Sequence, residues 1–161
     1  MITHLRIDNR LIHGQVAVTW KNHIGADKII VTNDQVAADP IQKMALPLAA
    51  RGSTVLVLTV DECLQYAKDH PEETMFVIAK FPQDALKILE SGVEVKDVNV
   101  GNAAPINGTV YKMVDKSIAA TAEDAAVYRK IASLRGGKLI SHLTPANEPR
   151  DFLKLLDEAG F

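Results

Sequence analysis

Apolar residues along this chain follow two alternating rhythms. Runs rich in Val, Ile and Leu fall within residues 3 to 8, 27 to 32, 54 to 58, 75 to 80, 97 to 101 and 138 to 143, each short enough to predict a strand. Between them, apolar spacings of three and four predict helices over 14 to 24, 35 to 50, 60 to 69, 83 to 91, 122 to 135 and 149 to 158. This alternation defines an α/β fold: a mostly parallel open sheet of about six or seven strands flanked by helices.

Turn residues sharpen the boundaries. Pro82 suits a first helical position, where its missing N–H costs nothing, and Gly92 suits the carboxyl end of the same helix. Pro40 and Pro47 interrupt the 35 to 50 segment, so that helix is expected to start at Pro40 and to finish, or kink, near Pro47. Pro105 with Asn107-Gly108 makes residues 102 to 111 a loop with a tight turn, and a seventh short strand fits within 110 to 119. No repeat or Gly/Ser linker divides residues 1 to 161, which are expected to form one domain.

Composition mainly excludes. The chain has 161 residues, 47% apolar and 24% charged, which suits a packed globule; 18 basic against 20 acidic residues give no footprint for nucleic acid. Cys63 is the single cysteine, so neither an internal disulfide nor a thiolate metal cluster is expected, and it reads as a passive buried residue. The first residues lack a basic stretch followed by an apolar run, and no apolar run approaches a membrane span, so a cytoplasmic protein is expected. His23 and His70 fall at helix ends, and His4 and His142 in strands as satisfied, partly buried imidazoles; none has metal-ligand spacing, and no metal or cofactor is expected. Trp20 and Phe76 are read as core residues.

Right-handed crossovers place the loops after successive strands at one end of the sheet, which directs attention to the loop after the first strand. It reads Arg6-Ile-Asp-Asn-Arg-Leu-Ile-His-Gly-Gln-Val16. A neutral imidazole, with an ordinary pKa of about 6.5, is a nucleophile near neutral pH, so His13 is the candidate to take a phosphoryl group. Arg10 would offer phosphate oxygens a planar fork of donors, and Gly14 with Gln15 would open a helix whose free amides favour an anion. Asp8 would orient either Arg10 or one nitrogen of His13. Asn33 and Asp34 follow the second strand and either flank this site or cap a helix. Lys80 flanks it if strand order reverses between the first and fourth strands. The familiar glycine-rich nucleotide motifs are absent.

The same segment resembles the motif of the IIB components of the mannose/fructose/sorbose family of the bacterial sugar phosphotransferase system. The likeness continues through Trp20, Ile24-Gly-Ala, Ile29-Ile-Val-Thr-Asn-Asp, Val36-Ala-Ala-Asp-Pro and Val98-Asn-Val-Gly-Asn. It implies a phosphocarrier at the inner membrane face whose histidine, here His13, accepts a phosphoryl group from a IIA component at the δ nitrogen. The group then passes to a sugar held by the IIC and IID membrane components. It further implies that Asp8, Arg10, Gly14 and Gln15 line the site. The first fifteen residues of the likeness, Arg6 to Trp20, are similar to members serving N-acetylgalactosamine. Ala103-Ala104-Pro105 departs from the methionine and histidine or aromatic residue usual there, which questions side-chain contacts at those positions. A regulatory module that keeps the loop without turnover is the alternative, and a homo-oligomer is compatible with either.

Overall fold

Residues 1–161 are described by a computed structural model. In chain order the elements are β1 (Ile2–Asp8), α1 (Val16–Ile24), β2 (Lys28–Thr32), α2 (Asp34–Ala38), α3 (Pro40–Ala49), β3 (Val55–Leu58), α4 (Val60–Asp69) and β4 (Met75–Ala79). There follow α5 (Pro82–Glu90), β5 (Val95–Asn102), β6 (Lys112–Asp115), β7 (Ile118–Ala120), α6 (Ala122–Leu134), β8 (Ile140–Ser141), β9 (Arg150–Asp151) and α7 (Phe152–Glu158). Strands pair in the order β3-β2-β4-β1-β5-β8-β9, parallel except for the short antiparallel β9 at one edge. The fold is the expected single α/β domain.

Side chains leave the strands alternately to two cores. Leu5, Ile7, Val77 and Ala79 pack with α4, α5, α6 and α7, whereas Ile29, Val31, Phe76 and Ile78 pack with Ala17 and Trp20 of α1 and Val36 of α2. Capping is mostly local: Thr59 and Glu62 close a capping box on α4, as Thr121 and Asp124 do on α6, each such cap contributing about 1 kcal/mol.

Three expectations are corrected. The segment over 35 to 50 is two helices, because Asp39 is extended (φ −89°, ψ 109°) and its carboxylate caps a new helix at the Ile41 and Gln42 amides; α3 starts at Pro40, as expected, and runs on through Pro47 to Ala49. The single strand within 110 to 119 is a separate hairpin, β6 and β7, with only an isolated bridge from Ala103 to Ile118 near the main sheet. The helix starting at 149 begins at Phe152, because Arg150 and Asp151 pair with β8 as an edge strand.

Cys63 is fully buried on α4 and burial pushes its thiol up to about 12. It is expected to react with a thiol reagent only on unfolding; rapid labelling of the native protein would contradict this packing.

His4 lies on β1 facing α1, 7% exposed, stacked on Trp20 at 5.0 Å and edge-on to Phe76 at 5.8 Å. It is more buried than the sequence suggests, and its Nε2 has no partner, so it is not the satisfied imidazole expected. Burial lowers its pKa to about 4, against the opposing pull of Asn99 and Asp97 and with Arg6 and His142 adding to the depression. The unfolded chain binds this proton near pH 6.5 and the folded chain only near pH 4. The stability it contributes is therefore complete above pH 6.5 and falls by roughly 3 kcal/mol as pH drops to 4. Urea titrations of the wild type and His4→Phe are expected to diverge over that range, the wild type losing more; parallel losses would rule the effect out.

Candidate functional site

The strand order places the site. From β1 the chain crosses in one direction to β2, and from β4 it crosses over β1 in the other direction to β5, so β1 and β4 are neighbours whose exits diverge. Such a switch point opens a crevice beyond the carboxyl ends of the two strands. The loops over 9 to 15 and at Lys80-Phe81 stand there.

The 9 to 15 loop is pinned at two places. Asn9 brackets the backbone of Ala104, accepting from its N–H and donating to its carbonyl, both at 2.9 Å. Farther along, Leu11 and Ile12 sink into the α1-side core, each 7% exposed. Leu11 reaches that position at φ 61°, a left-handed conformation costing a leucine about 1–3 kcal/mol. The two apolar anchors hold the next residues outward: His13, Gly14 and Gln15 are all exposed. Gly14 turns at φ 51° into α1, whose amino end no side chain caps. The Val16 amide donates to the His13 carbonyl at 3.2 Å, and the amides of Gly14, Gln15, Ala17 and Val18 are left to an outside acceptor.

Behind this tip lies a buried charge cluster. Asp8, 2% exposed, accepts from the Arg10 amide at 3.0 Å through Oδ1, which also faces Arg10 Nε at 3.5 Å. Its Oδ2 accepts from Arg6 Nε and faces Arg6 Nη2, both at 3.2 Å. Both carboxylate oxygens thus face arginine groups, and Asp8 makes no hydrogen bond to His13. The Asn102 carboxamide satisfies both its ends when its oxygen is assigned toward Arg10; in that orientation it accepts from Arg10 Nε at 3.1 Å and from the Ala103 amide at 3.3 Å while donating to the Ser117 carbonyl at 3.0 Å. Arg10 is about a third exposed, and its Nη2 is shielded from solvent with no partner in the chain. A shielded guanidinium nitrogen without an acceptor favours an anionic ligand.

The flanking candidates separate. Asn33 is the amino cap of α2, accepting from Val36 N at 3.1 Å and donating to Asp84 at 3.0 Å, and Asp34 accepts from Val60 N at 2.9 Å. Both ends of the Asn33 amide and Oδ1 of the exposed Asp34 are engaged within the scaffold. Lys80 is half-buried at the end of β4, its ammonium 5.1 Å from the Phe81 ring, and shares the wall of a recess with Asn9, Ile106, Tyr111 and Thr121. The Ala103-Ala104 departure matters less than its sequence suggests, because the contacts made there are to the Ala103 and Ala104 backbone.

Sequence reasoning missed Arg6, Asn9 and Asn102. Arg6 carried a signal: it shares the inward face of β1 with His4 and Asp8, and a strand with three polar residues on one buried face needs partners for them. Asn9 and Asn102 act through residues about a hundred positions away or through a neighbouring loop, and no local pattern marks them.

Fold and loop together define a doubly wound α/β protein whose switch point presents an exposed histidine three residues after Arg10. The model of the sorbose subfamily of IIB components of the phosphotransferase system matches residues 2–161, and the chain belongs to that family. It is 42% identical over 100 residues to the N-acetylgalactosamine-specific phosphotransferase enzyme IIB component 1 of Escherichia coli K12, a match spanning 60% of this chain and 63% of that protein. It is 33% identical over 129 residues to the mannose-specific EIIAB component of the same strain, spanning 78% of this chain and 39% of that one. The crystal structure of the IIB domain of the sorbose permease from Klebsiella pneumoniae superposes with a TM-score of 0.90 at 30% identity, covering 100% of this chain and 99% of the other. IIB components of this family are phosphotransferases with a phosphocarrier role in sugar transport. No helix here is long and apolar enough to cross a membrane.

Proposed function

We propose that this protein carries a phosphoryl group on His13, taking it from a IIA component and giving it to a sugar held by IIC and IID components at the inner face of the membrane. The observation that carries the reading is the pairing of an exposed imidazole at the loop tip with the buried, unpartnered Nη2 of Arg10 three residues earlier. In the first transfer a neutral ring nitrogen attacks phosphorus, and a P–N bond forms as the donor's bond to phosphorus breaks. Negative charge on the equatorial oxygens then meets Arg10 and the uncapped amides at Gly14 and Gln15. In the second transfer the sugar hydroxyl oxygen attacks phosphorus as the P–N bond breaks, the hydroxyl proton passes to solvent, and the ring is left neutral for another cycle. Asp8 takes no proton in this scheme; it holds Arg10 in place. Lys80 adds positive charge from the next loop.

The IIA partner is supported by the mannose relative, whose name joins A and B components in one protein. The likeness to the N-acetylgalactosamine component favours that sugar system over sorbose. The test is reconstitution: with phosphoenolpyruvate, the general phosphotransfer proteins and a cognate IIA, the protein is expected to gain one acid-labile, base-stable phosphate that peptide mapping places on His13. A label on another residue would refute the assignment.

A further inference from the structure

Arg6 is the largest of the fully buried side chains, 1% exposed, and it is a charge. Burial pushes its pKa down, opposed chiefly by Asp8, yet an arginine stays protonated at neutral pH. Its contacts account for the charge. Nη1 donates to the His142 carbonyl at 2.8 Å, Nη2 donates to the Leu143 carbonyl at 3.0 Å, and Nε and Nη2 face Asp8 Oδ2. The guanidinium also lies 5.5 Å from the Trp20 ring, whose indole N–H donates to the same Leu143 carbonyl at 3.1 Å. Asn99 donates to the His142 carbonyl at 3.1 Å, so residues 142 and 143 are held by three side chains from two strands and a helix. On β5 the guanidinium passes where only a glycine fits: a Cβ on Gly101 would overlap Arg6 Cζ.

We propose that Arg6 is the positioning residue of the phosphate clamp, acting on Arg10 through Asp8. The argument is one of charge as well as geometry, and it rests on the phosphocarrier reading above. Asp8 paired with Arg10 alone would form a neutral couple and would spend the attraction that Arg10 owes to a phosphoryl group. With Arg6 on its other oxygen, Asp8 is neutralised from within the fold. It keeps its geometric hold on the Arg10 amide and guanidinium, while the cluster of two arginines and one carboxylate retains a positive charge that faces the loop. Arg6 stands on β1, in the middle of the sheet, and its bonds to the 142 and 143 carbonyls just beyond β8 fix the guanidinium, so the hold on Asp8 starts from a strand and not from the 9 to 15 loop.

The experiment measures single-turnover phosphoryl uptake from a phosphorylated cognate IIA, alongside thermal unfolding. Arg6→Gln is expected to slow uptake at saturating donor by roughly tenfold with an unchanged KM, and Arg6→Lys, which keeps the charge, to recover much of that rate. Arg6→Gln with Asp8→Asn is expected to be no slower than Asp8→Asn alone, since both act along one path. Should Arg6→Gln not fold, Gly101→Ala displaces the guanidinium with every charge retained and is expected to show the same slowing; Arg6→Lys supplies a third reading with the charge in place. A purely structural Arg6 would lower the unfolding temperature while folded protein reacts at the wild-type rate, and that outcome, or multiplicative effects of the two substitutions, overturns the proposal. Wild-type labelling at His13 is the control that separates the two claims. Without it the phosphocarrier reading fails; with it, and with unslowed variants, only the role of Arg6 fails.

Discussion

His13→Ala is expected to take up no acid-labile phosphate from a phosphorylated IIA while folding as the wild type does. The side chain is exposed at the tip of the β1–α1 loop, so its removal should change stability by no more than about 0.5 kcal/mol. The loop itself is held by groups that the substitution leaves alone: Leu11 and Ile12 in the core, Asn9 on Ala104, and the bond from the Val16 amide to the residue 13 carbonyl. Loss of function with an unchanged fold thus isolates the nucleophile. Circular dichroism would confirm the fold, and persistence of the label in the variant would move the phosphorylation site elsewhere.

Arg10→Ala is expected to fold normally but to accept the phosphoryl group more slowly by a factor on the order of 10² to 10³, the usual loss for one aimed donor in a site of this kind. Its structural cost is small because Asp8 keeps Arg6 on one oxygen and the residue 10 amide on the other, so no buried charge is stranded. Arg10→Lys should recover part of the rate, since an ammonium restores charge without the planar fork. Binding of the IIA partner should hold while the transfer step slows, because Arg10 meets charge that is greatest in the transition state. A rate equal to the wild type would remove Arg10 from the clamp and leave the α1 amides and Lys80 to stabilise the phosphoryl oxygens.

The candidate site was legible where it is local. His13 and Gly14 were expected where the loop opens a helix, and Gly14 does occupy a left-handed conformation, whereas the anchoring of Leu11 and Ile12 in the core came from the structure. Pro82 does open its helix, and Gly92 turns at φ 80° just beyond its end. The sequence was ambiguous at Asp39-Pro40 because a proline in a helical pattern marks either a kink or a new start, and only the extended backbone of Asp39 decides. For Arg6 it signalled only a need for partners: a charged residue within an apolar strand cannot say which distant carbonyls will receive it.

What the sequence determined by itself were the periods of strand and helix, the α/β class and the order of Arg10, His13 and Gly14 in one loop, because these depend on contacts within a few residues. The tertiary structure alone decided that β1 lies between β4 and β5, which puts Lys80 at the same sheet end as His13. It also decided that Asp8 belongs to the arginines and not to His13, and that Ala104 serves through its backbone. The reason is the same in each case. Parallel pairing and buried ion pairs join residues that lie tens of positions or more apart, and the energies that select among such pairings arise only once the sheet has assembled.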